Sequence, residues 1–133
     1  MASIFSKIVA REMPAHIVAE DDNNLALQDI NPLVEGHTLV IPKKEEDYIF
    51  DLDNQTLEGL FSYSKGVAKA IEKVVTCERI GISVIGLEVP HAHVHLIPIN
   101  AVDDMNFSRM KLSPSKEELA ETAKKIKEAY ENQ

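Results

Sequence analysis

The stretch His91-Ala-His-Val-His-Leu-Ile-Pro-Ile99 carries histidine at every second position over its first half. Alternate side chains of a β-strand point to opposite faces, so the imidazoles of His91, His93 and His95 would share one face. The intervening positions are all apolar and would face a hydrophobic layer on the other side; they are Ala92, Val94 and Leu96. The pattern therefore predicts a strand over 91–99 that presents a row of histidines and buries its opposite face.

Apolar periodicity and turn residues predict the other elements of the fold. Short apolar and β-branched runs between turn signals indicate four further strands, over 17–20, 25–29, 37–41 and 80–85. Helical spacing indicates a short turn around 4–8, a long helix from Asp53 or Asn54 to about 77, and a C-terminal helix over about 115–131 that opens with the capping box Ser115-Lys-Glu-Glu118. We therefore expect an α+β fold in one domain, residues 1–133, with an antiparallel sheet of about five strands, a long helix and a C-terminal helix.

Composition argues against several classes of protein. The 133 residues include 14 basic and 22 acidic side chains, and the net charge of −8 argues against binding to a nucleic-acid polymer. The apolar runs are short, whereas a membrane-spanning helix needs about 20 apolar residues, and the N-terminus has no secretory pattern. Cys77 is the only cysteine, so no internal disulfide can form. We expect a cytoplasmic protein that does not bind a membrane.

Two interpretations of the histidine row are weak. A chance surface stripe is disfavoured because histidine is uncommon and the residues between the histidines are uniformly apolar. A metal site meets a geometric difficulty, since His91 and His95 would lie roughly 13 Å apart on a strand that rises about 3.3 Å per residue. Zinc–nitrogen bonds are only about 2.0–2.1 Å long, so one ion could take two neighbouring histidines but hardly all three.

Phosphoryl or nucleotidyl transfer suits the row better. Free imidazole has a pKa of about 6.5, so near neutral pH one ring can attack phosphorus while a protonated neighbour stabilises the phosphate charge. Backbone amides would add to this stabilisation, and the turn Val84-Ile-Gly-Leu-Glu88 just before the histidines is well placed to supply them. Gly86 in this turn would let the backbone approach a ligand closely.

The segment His91-Ala-His-Val-His-Leu-Ile97 matches the signature His-φ-His-φ-His-φ-φ, where φ is hydrophobic, and through it the chain resembles the histidine triad family. The resemblance extends over about residues 3–99. Ile4-Phe-Ser-Lys-Ile-Val9 looks like the N-terminal helix of that family, and Leu27-Gln-Asp-Ile-Asn-Pro32 and Gly36-His-Thr-Leu-Val-Ile-Pro-Lys43 are similar to its ligand-lining segments. The resemblance implies a HIT-like fold and is greatest to the histidine triad nucleotide-binding proteins.

The resemblance also implies roles for individual residues. His93 would be the nucleophile that becomes nucleotidylated, and His91 and His95 would orient it and bind the α-phosphate. His37 would be a fourth histidine of the active site. Asp29 would accept hydrogen bonds from the ribose hydroxyls, for which an acceptor-only carboxylate is suited.

A nucleotide site implied by the family also needs a place for the base. The implied apolar base pocket comprises Ile4, Phe5, Ile8, Leu27 and Ile30; these side chains, taken without the resemblance, are equally typical of an ordinary core. Glu88 falls where the family has a polar residue near the phosphate and the leaving group, although an ordinary surface charge explains it as well. Val89 is assigned to the nucleotide site beside Glu88.

The chain departs from the family pattern at three places. Only Gly86 separates Ile85 from Leu87, so the phosphate-side loop is shorter than in many relatives and lacks their asparagine. Zinc-containing relatives have Cys-x-x-Cys near the N-terminus, where this chain has Ser3 and Ser6, so we predict no structural zinc. We also expect no other metal and no cofactor. The C-terminal helix is additional to the short nucleotide-binding members.

The reaction implied by the family is a two-step displacement at the α-phosphorus of a purine nucleoside phosphoramidate or a related nucleotide conjugate. His93 would attack and release the amine, and water would hydrolyse the nucleotidyl-histidine. Two alternatives remain open, namely a dinucleoside polyphosphate hydrolase and a nucleotide-binding regulatory module with negligible turnover. The resemblance further implies a homodimer.

Overall fold

A five-stranded antiparallel sheet in the order β1-β2-β3-β5-β4 forms the centre of the protein in a computed structural model that describes residues 2–133. The strands are β1 (Ile17–Glu20), β2 (Asn24–Gln28), β3 (Thr38–Pro42), β4 (Arg79–Ser83) and β5 (Val94–Ile99). The helices are α1 (Ile4–Val9), α2 (Asn54–Val74) and α3 (Lys116–Glu131), with single 3-10 turns at Ile49–Asp51 and Val102–Met105. The predicted α+β fold, with its five strands, long helix and C-terminal helix, is confirmed.

The histidine-bearing strand lies inside the sheet, between two neighbours. β5 pairs with β3 on one side, where His95 lies opposite Leu39, and with β4 on the other, where His95 lies opposite Ser83. Because β4 follows α2 in the chain and β5 then enters between β3 and β4, the row of histidines sits near the middle of one sheet face.

The two faces of the sheet have different coverings. Helices α2 and α3 cover one face, and the buried cluster there includes Ala92, Val94 and Leu96, as the alternation predicts. Helix α1 covers part of the other face and packs Phe5 and Ile8 against the strands; the strand residues of this second cluster are Leu25, Leu27, Leu39 and Ile41. The histidine side of β5 therefore belongs to the face that carries α1.

The fifth strand begins at Val94, so the prediction that it starts at His91 is wrong. The backbone before Val94 leaves the ladder, because the Ala92 amide donates to the Glu46 carbonyl at 2.7 Å and the His91 amide to the Val89 carbonyl at 2.8 Å. The first two histidines therefore lie on an irregular extended segment.

Other element ends also differ from the prediction. Strand β3 begins at Thr38, one residue after His37, and β4 covers Arg79–Ser83 rather than 80–85. Helix α2 ends at Val74 and not near 77, because Val75 is already extended, with φ −111° and ψ 121°. The β-branched pair Val74-Val75 explains this early end, since β-branched side chains favour extended backbone.

Two local features agree closely with the sequence. The capping box of α3 is present, since the Ser115 hydroxyl accepts from the Glu118 amide at 3.1 Å and the Glu118 carboxylate accepts from the Ser115 amide at 3.2 Å. Gly36, just before β3, has φ +90°, and a Cβ there would lie 2.8 Å from a methyl carbon of Val75.

Within residues 2–133 no helix is long and apolar enough to span a bilayer.

Candidate active site

Four of the five histidines lie together on the α1 side of the sheet. The ring centroids of His93 and His95 are 4.9 Å apart, and those of His95 and His37 are 5.2 Å apart. His93 and His95 are 7% and 8% exposed, whereas His37 and His91 are essentially buried. The middle and last histidines of the row therefore form the accessible part of the site.

The ring of His93 is held in one tautomer by a backbone carbonyl. Its Nδ1 lies 2.8 Å from the carbonyl oxygen of His91. A carbonyl can only accept, so Nδ1 carries the proton and the neutral ring has its lone pair on Nε2. No protein group among residues 2–133 hydrogen-bonds to Nε2, and this atom is not buried. In a neutral His93 ring, Nε2 is thus an accessible acceptor, which is the form that a nucleophilic imidazole requires.

His95 receives its tautomer from His37. The Leu33 amide donates to Nδ1 of His37 at 3.1 Å, so the proton of neutral His37 is on Nε2. That Nε2–H donates to Nδ1 of His95 at 2.9 Å, which leaves the His95 proton on Nε2. Burial lowers the pKa of His37 to about 3 and that of His95 to about 4, with a further contribution from neighbouring imidazoles.

The low pKa of His95 changes one expectation from the sequence. A protonated neighbour is not what the site offers beside His93, because His95 stays neutral at physiological pH. His95 instead presents a neutral Nε2–H, a hydrogen-bond donor suited to a phosphate oxygen.

His91 has no ring nitrogen free for a ligand. Its Nε2 lies 2.8 Å from the Pro42 carbonyl oxygen, and its Nδ1 lies 2.7 Å from the Ser3 hydroxyl. The side chain is 0% exposed, and burial lowers the pKa of the ring. The structure therefore supports an orienting role for His91, through its carbonyl contact with His93, and not direct phosphate binding by its ring.

Asp29 follows β2 at the edge of the site. Its Oδ1 accepts from the Asn31 amide at 2.9 Å, and its Oδ2 lies 3.7 Å from Nε2 of His37. Burial raises the pKa of the Asp29 carboxyl, and the Glu88 carboxylate adds to this, whereas the Asn31 hydrogen bond opposes it. The carboxylate retains unused acceptor positions beside the histidines.

The side chains of Asp29, His37 and His95 have the spacing of a metal-ligand set, with one ligand atom of each within 4.8 Å of the others. The hydrogen bond from Leu33 nevertheless places a proton on Nε2 of His37, the atom that would have to offer a lone pair to an ion. The three residues therefore do not fit a metal ion and fit a chain of hydrogen bonds better.

Only part of the predicted base pocket comes together. Phe5, Ile8 and Leu27 are buried in one cluster, and Val89 packs against it. The Phe5 ring meets His93 edge-on, with centroids 5.0 Å apart, and also meets His91 at 5.7 Å. The apolar cluster therefore adjoins the His93 ring.

The remaining predicted residues are outside that cluster. Ile4 is 44% exposed on the outer side of α1, and Ile30 is 61% exposed just after β2. Glu88 is exposed in the loop before the histidines, close enough to Asp29 to influence its pKa. In the same loop Gly86 has φ +76°, and nothing lies within 4 Å of the Cβ position, so the glycine serves the backbone conformation and no close protein contact.

Phe107 is a site residue that the sequence did not reveal. Its ring centroid lies 4.9 Å from that of His95 and 6.2 Å from that of His37. The segment that carries it is held to the site by Arg109, which donates to the Leu33 carbonyl at 3.0 Å. No periodic pattern marks residues 100–114, and Phe107 is one of several apolar residues there, distinguished only as the one aromatic side chain.

Comparisons with known proteins agree with this arrangement. The HIT domain model matches residues 10–102. A HIT-like protein of Borreliella burgdorferi, itself uncharacterised, is 37% identical over 113 residues, 80% of this chain and 81% of that protein. The adenosine 5'-monophosphoramidase of Saccharomyces cerevisiae is 34% identical over 99 residues, 73% of this chain and 62% of that enzyme.

A solved structure extends the likeness to nearly the whole fold. The HIT-like protein from Bartonella henselae, described as involved in cell-cycle regulation, has a TM-score of 0.83 and 34% identity and covers 96% of this chain and 95% of its own. The matched domain includes His37, Asp29 and all three histidines of the row. Sequence, fold and site thus lead to one conclusion, that this chain belongs to the HIT, or histidine triad, family.

Proposed function

We propose that the protein is a nucleotidyl hydrolase that cleaves purine nucleoside phosphoramidates, or related nucleotide conjugates, at the α-phosphorus. The observation that carries this proposal is the hydrogen bond of 2.8 Å between Nδ1 of His93 and the His91 carbonyl. It leaves a lone pair on Nε2 of His93, and the His95 ring, whose proton is on Nε2, lies 4.9 Å away between ring centroids. A nucleophile and an oxyanion donor are therefore side by side.

The reaction takes two displacements at phosphorus. Nε2 of His93 attacks the α-phosphorus, the phosphorus–nitrogen bond to the amine breaks, and the amine leaves with the bonding electron pair and takes up a proton from solvent. Water then attacks the phosphorus of the nucleotidyl-histidine and releases a proton to solvent. The phosphorus–Nε2 bond breaks in this step, and its electron pair returns to His93. In both steps the Nε2–H of His95 stabilises a non-bridging phosphate oxygen.

The surroundings of His93 support a nucleotide as the substrate. Phe5, Ile8 and Leu27 offer a buried apolar wall for a base. Asp29 offers carboxylate oxygens for ribose hydroxyls. A relative of 34% identity is named an adenosine 5'-monophosphoramidase, which favours the phosphoramidate class.

Hydrolysis of a fluorogenic adenosine phosphoramidate by wild type and by His93→Ala tests this function. We expect turnover by the wild type, its loss in His93→Ala, and retention of nucleotide binding by the variant. His16→Ala is the matched control, because no hydrogen bond or ring contact within residues 2–133 involves its side chain; only its carbonyl is bonded, to the Gln28 amide. Quenching with phosphorus-labelled substrate should place the label on His93.

Three results would change the assignment. Absence of turnover by the wild type, with rapid cleavage of a dinucleoside polyphosphate, would make the polyphosphates the substrate class. Nucleotide binding without turnover of either compound would indicate a binding module. Label on any residue other than His93 would remove the nucleophile assignment.

We also propose that the active protein is a homodimer joined along β4. This strand is at the edge of the sheet and pairs only with β5 among the described strands. Ile82, Ile85 and Leu87 on β4 and in the loop after it are 49%, 44% and 88% exposed, an apolar surface suited to a partner. Light scattering on wild type and Ile82→Lys tests this, and a monomeric wild type would contradict it.

A further inference from the structure

The N-cap serine of α1, a serine within the helix and one glutamate form a hydrogen-bonded cluster with the first histidine of the row. The Ser3 hydroxyl lies 2.7 Å from Nδ1 of His91. The Glu45 carboxylate accepts from the Ser3 amide and from the Ser6 hydroxyl, both at 2.6 Å. Ser3 is 6% exposed, so a buried polar contact connects the N-terminus of α1 to the histidine row.

The direction of each hydrogen bond in this cluster follows from its partners. Nε2 of His91 donates to the Pro42 carbonyl, so Nδ1 of the neutral ring must accept. The Ser3 hydroxyl therefore donates to Nδ1, and it accepts in turn from the Ser6 amide at 3.0 Å. The Ser6 hydroxyl is already engaged with Glu45, which leaves Ser3 as the donor to the ring.

The cluster is complete, and its carboxylate is charged. Hydrogen bonds from Ser3 and Ser6 lower the pKa of Glu45 to about 2, so the carboxylate is ionised at physiological pH. An acceptor-only carboxylate orients both serines and keeps the Ser3 hydroxyl directed at His91.

We propose that Ser3, oriented by Glu45, is a positioning residue for the His93 nucleophile, acting through the ring and carbonyl of His91. This rests on the proposed role of His93. The His91 ring is held at both nitrogens, and its amide is bonded to Val89, so the residue has one orientation. That orientation aims the His91 carbonyl at Nδ1 of His93.

Loss of the Ser3 hydroxyl would act on the tautomer of His93. A buried Nδ1 on His91 without a donor is unfavourable, and the ring would turn or change tautomer to find another partner. Movement of the His91 carbonyl would weaken its bond to Nδ1 of His93. Part of the His93 population would then carry its proton on Nε2, where it prevents attack on phosphorus.

Ser3 also caps helix α1, because its hydroxyl accepts from the Ser6 amide. The variants are chosen to separate the positioning role from this capping role. Glycine is nearly as good a cap as serine, so Ser3→Gly removes the donor to His91 with little effect on α1. Ser6→Ala is combined with it, because the Ser6 hydroxyl lies 3.5 Å from the same Nδ1 and could replace Ser3. Ser3→Thr is the conservative rescue, and Ser62→Ala, an exposed serine of α2, is the control.

The measurements are kcat and KM for the adenosine phosphoramidate, label incorporation at His93, and the 15N chemical shifts that report the tautomers of His91 and His93. We expect Ser3→Gly/Ser6→Ala to lower kcat about tenfold with KM changed less than about twofold, because the lesion affects the attacking atom and not the base pocket. The His93 shifts should show both tautomers, and Ser3→Thr should restore kcat and the single tautomer.

Other outcomes distinguish the two proposals. Wild-type tautomers and a kcat within about twofold of wild type in Ser3→Gly/Ser6→Ala would overturn the positioning role while leaving His93 as the labelled residue. If that variant does not fold, Glu45→Ala replaces it, and unchanged kcat and tautomers there would equally overturn the proposal. Absence of label on His93 in the wild type would instead overturn the proposed function.

Discussion

His37 donates from Nε2 to Nδ1 of His95 across 2.9 Å, although the two residues are 58 positions apart in the chain. The direction of this bond is set by the Leu33 amide, which occupies the other nitrogen of His37. Through these two hydrogen bonds, the backbone N–H of Leu33 determines that the proton of neutral His95 is on Nε2.

Replacement of His37 should affect the rate through the tautomer of His95. In His37→Leu the Nδ1 of His95 loses its donor, and we expect kcat for the phosphoramidate to fall about tenfold or more. In His37→Gln the side-chain amide can still donate from nearly the position of Nε2, so most of the activity should remain. Equal activities of the two variants would contradict the relay.

Protein stability should fall at mildly acidic pH. The pKa of His37 is lowered to about 3 and that of His95 to about 4 in the folded protein. In the unfolded chain both rings protonate as the pH falls below about 6.5, whereas in the native state they stay neutral. The unfolded state then binds more protons, and the free energy of unfolding decreases as the pH falls from about 6.5 towards 4. The raised pKa of the Asp29 carboxyl has the opposite effect on stability, because the folded state takes up this proton at a higher pH than the unfolded state, and it offsets part of the loss.

Urea denaturation between about pH 7.5 and pH 4.5 measures that slope. We expect the slope to become shallower in His37→Gln, because one of the histidines whose pKa is lowered by burial has been removed. A wild-type free energy of unfolding that stays constant over this range would show that both rings titrate normally in the folded protein.

Removal of the Phe107 ring should raise the pKa of His95. The ring lies 4.9 Å from that of His95, and Phe107→Ala would admit water to a histidine whose pKa is lowered mainly by burial. NMR titration of the His95 ring should show a higher pKa in Phe107→Ala and a value close to that of wild type in Phe107→Leu. Phe50→Ala, which removes an exposed ring packed on Tyr48, is the control.

Asp29 should determine the preference for ribose. If its carboxylate binds the ribose hydroxyls, wild type should favour an adenosine phosphoramidate over the 2',3'-dideoxy compound by about tenfold or more in kcat/KM. Asp29→Ala should lose most of this preference, mainly because kcat/KM for the ribose substrate falls. A preference that persists in Asp29→Ala would place the ribose elsewhere.

The C-terminal helix should be an integral part of the core. Ile126 on α3 is 0% exposed and belongs to the cluster beneath the sheet. Ile126→Ala should therefore lower the free energy of unfolding by about 2–5 kcal/mol in urea denaturation. Lys125→Ala, an exposed neighbour on the same helix, should change it by less than about 0.5 kcal/mol. Similar stabilities for the two variants would mean that α3 does not contribute to the core.

Local patterns were sufficient for most of the fold. The alternation of Ala92, Val94 and Leu96 identified the buried side of β5, because strand geometry fixes which side chains share a face. The capping box at Ser115 identified the start of α3, because its hydrogen bonds join residues three apart. Element ends were less predictable, since they depend on pairing partners such as Glu46, whose carbonyl draws the Ala92 amide out of the ladder.

The same distinction applies to the site. From sequence alone it could be determined that the histidines alternate with apolar residues and so share one side of an extended segment and, through the family signature, that His93 is the central one. Which nitrogen of each ring carries a proton was decided only by tertiary structure, because the partners are distant in the chain. Pro42 and Ser3, which fix His91, are 49 and 88 positions from it. A side-chain pattern specifies a face, whereas a tautomer depends on the hydrogen-bond partner that folding brings to each nitrogen.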